Sequence, residues 1–285
     1  MRWFSWVLAG AVALSLASAV EAGAATAERL GWETVWTTDH VLVPAAAAAE
    51  YGRTFDAIET LVWVGARHPH VKLGTSVIVV PQRNAVVLAK ELATLDVLSD
   101  GRLIAGVGVG WNETEFANLA AEDRFHRRGA YLDETIRLWR HLWSGSSEPF
   151  TGTFHNFSDF VFGPVPVQGE HVPILVGGTS AAALRRAGTL GDGYHATRVT
   201  PAEMALRVPV IRAAAEAAGR PMPPISARLA LSSLGDGPAA ILEQVRGFEA
   251  VGVEHLAIVF AETDPSTLRA AIERFDTDVV RASAG

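Results

Sequence analysis

The stretch Gly101-Arg102-Leu103-Ile104-Ala105-Gly106-Val107-Gly108-Val109-Gly110-Trp111-Asn112-Glu113-Thr114-Glu115-Phe116 decides how this chain folds. From Leu103 to Val109 it is an apolar run of strand length, which reads as a strand buried on both faces. The glycines at 106, 108 and 110 strip side chains from one side of its end, so that a flat group can approach the backbone closely. A Gly-x-Gly pair also occurs in dinucleotide-binding turns. Those turns open into a helix with a further glycine, whereas Trp-Asn-Glu follows here, and the dinucleotide reading fails.

The same rhythm of strand and helix runs out from this stretch in both directions. Upstream, residues 33–38 form a short β-rich run and residues 55–66 a helical pattern. Residues 71–80 are the clearest strand in the chain, closed by Pro81, and residues 85–98 repeat apolar side chains at helical spacing before Ser99-Asp100-Gly101 stops them. Downstream, residues 128–143 are a helix with Leu132, Ile136, Trp139 and Trp143 on one face. Strands at 173–176, 191–196, 225–231 and 253–260 then alternate with helices at 181–187, 201–218, 238–250 and 265–275. Pro209 predicts a kink or a split in the 201–218 helix. With residues 3–8 as a first strand, the count is eight strands in parallel βα units, and the expected fold is α/β: one (β/α)8 TIM barrel spanning 1–285. Two insertions interrupt it, a loop-like one after strand 4 (residues 111–125) and a hairpin-like one after helix 4 (residues 144–168). Both are expected to roof the pocket.

Composition bounds the function. With 285 residues, 49% of them hydrophobic and 19% charged, the chain has ample material for a large core. A net charge of -7 without a long run of either sign argues against nucleic acid and against a polybasic membrane contact. The absence of cysteine excludes disulfides, thiolate metal sites and a cysteine nucleophile. The nine histidines are scattered and form no His-x-His or His-Glu-x-x-His group, so no metal site is expected. The N-terminus has two parses. Met1-Arg2 followed by an apolar run to Ala17-Ser18-Ala19 imitates a secretory signal, while the alternative is a strand at 3–8, a turn near Gly10 and a long helix to Leu30. The second parse supplies the first barrel stave and places the protein in the cytoplasm.

In such barrels the site is built where strands end. The second strand ends at Asp39-His40, a pair that suits a proton carrier, a metal ligand or a satisfied polar contact at a loop entrance. The fifth ends at Gly177-Gly178-Thr179-Ser180, a glycine turn at a helix start with Thr179 or Ser180 placed to cap it. Bare amides and the helix dipole make such a turn fit for an anion. Glu113 and Glu115, two residues apart on a helical turn, point to different sides and read as solvated. His126 with Arg124, Arg127 and Arg128 forms a basic cluster able to face an anionic ligand or water. There is no Gly-x-Ser-x-Gly elbow and no Walker lysine.

Taken together, residues 35–44 (VWTTDHVLVP), 73–77 (LGTSV), 88–96 (LAKELATLD), 101–116, 128–134 (RGAYLDE) and 176–178 (VGG) resemble the bacterial luciferase-like monooxygenase superfamily, in particular its branch of coenzyme F420-dependent oxidoreductases. The resemblance runs from about residue 24 to residue 219. It implies a redox barrel holding a flavin-like tricycle at its carboxyl face, often as a homodimer. It also implies His40 and Asp39 as the catalytic pair beside the ring, and a non-proline cis peptide at Ser76-Val77 backing the ring. Gly106 and Gly108 would lie near the ring, and Gly177, Gly178 and Thr179 would take the cofactor phosphate. Some deazaflavin dehydrogenases carry a catalytic Glu directly after the Gly-x-Gly of the fourth strand. Here that position is Trp111, with Glu113 two residues on, and both are assigned to the substrate pocket. The function implied is hydride transfer between F420 and a small organic substrate. The alternatives are an FMN-dependent monooxygenase served by a partner reductase, and a cofactor-free barrel relative.

Overall fold

The computed structural model describes residues 3–7 and 13–283. Eight parallel strands close into a ring: β1 (Trp3–Val7), β2 (Thr34–Thr37), β3 (Lys72–Thr75, continued by Ile78–Val79), β4 (Leu103–Gly108), β5 (Ile174–Gly177), β6 (Gly193–Thr197), β7 (Ile225–Ala230) and β8 (Val253–Val259). β1 pairs with β8 from Trp3 opposite His255 to Val7 opposite Val259, and on its other edge with β2. β3 pairs with β4 through Leu73 opposite Leu103, which removes the last open edge. The expected TIM barrel is the fold, and the strand parse of the N-terminus is the one observed. Leu8 and the turn near Gly10 lie outside the described residues.

Each strand is followed by a helix that returns the chain to the amino end: α1 (Ala13–Leu30), α2 (Ala57–Gly65), α3 (Ala85–Leu98), α4 (Arg128–Trp143), α5 (Ala181–Thr189), α6 (Pro201–Ala217), α7 (Pro238–Ala250) and α8 (Pro265–Phe275). Their starts follow the caps written in the sequence. Asp56, Asn84 and Asp264 each accept two backbone N–H groups of the first turn, and Thr200 with Glu203 closes a full capping box. Of the kink or split expected at Pro209, the split is not observed: α6 runs unbroken from Pro201 to Ala217. Among the described residues no helix is long and apolar enough to cross a membrane.

The interior is filled below the carboxyl rim. Trp36 of β2 is fully buried and stacks on His195 of β6, the ring centroids lying 4.7 Å apart. A Cβ on Gly74 would come within 2.2 Å of the Trp36 ring, so that glycine is what lets the indole lie flat across the barrel. The glycine strand has a related explanation. The space a Cβ would fill at Gly106 is taken by the Thr75 carbonyl oxygen at 1.8 Å, and at Gly108 by Val77 at 2.6 Å. The bare face of β4 thus accommodates the interrupted third strand leaning over it, while Gly108 still borders the cavity at the carboxyl rim.

The two insertions also differ from expectation. Residues 111–125 are not a loop but two short helices, Glu113–Asn118 and Glu122–Phe125. Residues 144–168 do contain the hairpin, Phe150–Thr151 against Asn156–Phe157, but the segment does not roof the pocket. A segment that follows a helix of a βα unit emerges at the amino end of the barrel, and there Gln168 donates to Asp96 and to the Leu103 carbonyl at the start of β4. The hairpin loop is held by Glu134, whose carboxylate accepts the N–H groups of Thr153, Phe154 and His155.

Candidate active site

A cavity of about 390 Å³ opens at the carboxyl ends of the strands, lined by the residues that end β2 to β7. Its first wall is the end of β2. Asp39 is buried and fully engaged: one oxygen receives the Val79 N–H at 3.0 Å, and both meet the Arg83 guanidinium, which also reaches Asp56 at 2.9 Å. Burial works against the charge on Arg83, but the two carboxylates outweigh it and hold the guanidinium above its ordinary pKa. Asp39 is therefore a clamp between the ends of β2 and β3, with both oxygens engaged by neighbouring donors. His40, next to it, is free of that clamp. Its Nδ1 lies 3.1 Å from Glu115 Oε2, and its ring packs on Tyr51 with centroids 4.1 Å apart.

Glu115 is the residue that sequence reading placed in solvent. Its side chain is 2% exposed. Asn112 caps the short helix by accepting the Glu115 N–H at 3.2 Å, and in the Asn-x-x-Glu spacing of a capping box the Glu side chain turns back toward the helix start. Here it reaches past the cap to His40 and to the Val41 N–H, at 3.0 Å. Burial raises the Glu115 carboxyl, but the hydrogen bonds from His40 and Val41 outweigh it, so the group sits below the usual carboxylate range and stays ionised.

The floor is built from β3, β6 and β7. The peptide between Ser76 and Val77 is cis, at the position the family resemblance assigns. Ser76 Oγ lies 2.8 Å from His195 Nε2, and His195 Nδ1 lies 2.7 Å from Ser226 Oγ. The order of donors follows from the last link: Ser226 gives its proton to the Tyr194 carbonyl and so accepts from His195 Nδ1–H, which leaves Nε2 to accept from Ser76. Arg228 donates to the Ser76 carbonyl. Burial chiefly, with repulsion from Arg228 and His255, pushes the His195 pKa down to about 3, and the ring is neutral at any ordinary pH.

The opposite end is suited to an anion. Gly177 and Gly178 turn the chain from β5 into α5, with Gly178 at φ 113°, and Ser180 rather than Thr179 is the cap, accepting the Ala183 N–H at 3.2 Å. Tyr194 Oη donates to the Gly178 carbonyl at 2.8 Å and fixes the turn. Arg186 on α5 donates to the Gly129 carbonyl, which ties the start of α4 to this region. Arg128 lines the cavity there, with its Nε buried and lacking a hydrogen-bond partner. An orphaned guanidinium N–H beside a helix start is what a phosphate or carboxylate would complete.

Of the residues singled out from sequence, His40, Asp39, Ser76, Val77, Gly108, Gly177, Gly178, Thr179 and Trp111 line this one cavity. Gly106 and Glu113 do not. Gly106 lies under the Thr75 carbonyl, and the Glu113 side chain is 64% exposed and faces His126 across the outer surface. Of the basic cluster, only Arg128 reaches the cavity. His195, Ser226 and Arg228 were missed because a polar residue inside a strand gives no sign of which partners the barrel will bring to it, and Tyr51 because it ends a short helix in the alanine-rich segment after β2. Among the described residues, no three His, Cys, Asp or Glu side chains are placed to hold a metal ion.

A closed (β/α)8 barrel with its polar cavity at the carboxyl rim defines the broad class of TIM-barrel enzymes. Within that class the chain belongs to the luciferase-like monooxygenase family, whose profile matches residues 4–280. It is 34% identical over 229 residues to an F420-dependent glucose-6-phosphate dehydrogenase of Kineococcus radiotolerans, a match covering 78% of this chain and 66% of that protein. A second protein so named, from Amycolatopsis mediterranei, is 35% identical over 199 residues, covering 68% of this chain and 58% of its own. The chain thus spans about two thirds or less of these curated relatives. In fold it is similar to the monooxygenase RslO1 of Streptomyces bottropensis, with a TM-score of 0.83 at 21% identity over 99% of both chains.

Proposed function

We propose that the protein is a coenzyme F420-dependent oxidoreductase that transfers hydride between the deazaflavin and a small organic alcohol or carbonyl compound. The observation that carries this reading is the polarity of the cavity, which has a histidine held by a buried carboxylate at one end and a capped glycine turn with an orphaned arginine N–H at the other. The names of the two curated relatives support the coenzyme. When bound, F420 would supply the hydride acceptor or donor. The turn from Gly177 to Ser180 and Arg128 would hold its phosphate, while Ser76 and Val77 would border its ring. His40 Nε2 would accept the substrate hydroxyl proton in the oxidative direction and return it in the reductive one. Trp111, 61% exposed at the mouth, and Tyr51 behind it form an aromatic wall on the substrate side.

Binding separates the rival readings. Fluorescence titration of the purified protein is expected to give saturable binding of F420, with FMN bound at least tenfold more weakly. Tight FMN binding without F420 binding would assign the protein to the FMN monooxygenases, and binding of neither to a cofactor-free relative. We further assign it to the cytoplasm as a homodimer. Intact mass checks the first, since β1 is paired on both edges and a mature chain lacking it would open the barrel. Sedimentation checks the second.

A further inference from the structure

We infer that Glu115 is a positioning residue that fixes the proton of His40 on Nδ1 and so presents Nε2 to the cavity as a bare acceptor. The inference rests on the proton-carrying role of His40 proposed above, but its first test does not. The geometry leaves one consistent assignment for the proton on Nδ1. The Val41 N–H is a donor that cannot change, and Glu115 Oε1 accepts it at 3.0 Å. The other oxygen faces His40 Nδ1 at 3.1 Å. An ionised carboxylate only accepts, so the proton between them belongs to the imidazole. Tyr51, packed against the His40 ring at a tilt of 36°, limits rotation about the side chain, and the Asn112 cap fixes the helix that carries Glu115.

This arrangement serves the oxidative half of the reaction. With F420 bound to supply the hydride acceptor, the substrate C–H electron pair would leave as hydride, the hydroxyl proton would pass to His40 Nε2, and the carbonyl would form. The imidazolium then carries its new charge beside an anion that is already in place and already dehydrated. A ring with its proton on Nε2 would face the hydroxyl with a donor and could not take that proton. None of this was visible in the sequence, because Glu115 and His40 lie 75 residues apart.

Glutamine at 115 is the diagnostic change. It keeps the shape but offers one carbonyl oxygen to two donors. The fixed Val41 N–H claims that oxygen, the amide NH2 turns to Nδ1, and the His40 proton is forced onto Nε2. Long-range proton–nitrogen correlation spectra of the full-length protein, with His40 assigned by difference against H40Q, read this directly. The wild type is expected to show Nδ1 protonated and Nε2 bare, and E115Q the reverse. With F420, E115Q is expected to lose kcat by about 10² to 10⁴-fold, the range for losing a general base or its correct tautomer, while the Kd for F420 stays within twofold. E115D, which restores an anionic acceptor, should recover part of that loss. A wild-type His40 protonated on Nε2 would overturn the inference even if every variant misfolds, and so would an E115Q protein with unchanged tautomer and turnover. The expected tautomers without any F420 binding would instead sink the proposed function and leave the assignment of the proton standing.

Discussion

Two histidines border the cavity, and their surroundings give them opposite chemistry. His40 stands at the rim, with its Nδ1 on a buried carboxylate and its ring against Tyr51. His195 lies under the floor between two serine hydroxyls, stacked on Trp36, with Arg228 and His255 nearby. Deep burial, with cations nearby, disfavours a proton on His195, whereas His40 lines the cavity with its Nδ1 edge on a carboxylate. Residue type alone would rank the two as equal candidates for proton transfer. The environments separate them: His40 offers the cavity a ring anchored on a carboxylate, while His195 gives rigid support to Ser76.

The largest effects are expected where this contrast is cut. H40Q should lower kcat with F420 by about 10² to 10⁴-fold while the protein folds as before, measured by steady-state kinetics and thermal unfolding. His195 should show itself in stability instead. Its folded pKa, about 3, lies below the unfolded value near 6.5, so between those limits the unfolded chain binds the extra proton. The stabilisation is complete above about pH 6.5 and is lost as the pH falls toward 3, by up to about 1.4 kcal/mol per pH unit from this one group. Urea unfolding from pH 7 to pH 4 is expected to be less steep with pH for H195N than for the wild type. Parallel curves would mean that His195 is not held neutral, and the contrast would fail.

An effect of intermediate size is expected at the anion end. Gly178 has φ 113°, where a side chain is strained, and a Cβ there would stand 3.0 Å from the Ala183 side chain. G178A should cost about 1–2 kcal/mol of stability and weaken F420 binding by roughly tenfold, measured by unfolding and by fluorescence titration. Loss of stability with unchanged Kd would detach the turn from coenzyme binding.

What could be read in advance follows the range of the interactions. The eight strands, the helix stop at Ser99-Asp100-Gly101 and the glycine turn at Gly177 are local patterns, written within a few residues of where they act. The polar partnerships of the site are not. Asp39 with Arg83, Ser76 with His195 and His40 with Glu115 join residues 44, 119 and 75 positions apart, and only closure of the barrel brings them together. The glycines of β4 mark the boundary between the two cases. Their need for space was visible, but the occupant was not, because the third strand that fills it comes from another βα unit.

The smallest expected effect is at Glu113, and it sharpens the comparison because Glu113 and Glu115 share a helical turn. Residues two apart on a helix project about 200° apart, so one face of a short helix packed on the rim must be wet and the other dry. Glu113 took the wet side. Among the described residues its one partner within ion-pair range is His126, at 3.6 Å, and both side chains are more than half exposed, where water and salt screen the pair. E113Q is therefore expected to change stability by less than about 0.5 kcal/mol and kcat by less than about twofold, measured beside E115Q under the same conditions. Equal losses in the two variants would mean that the helix turns its other face to His40, and the assignment of Glu115 would have to move to its neighbour.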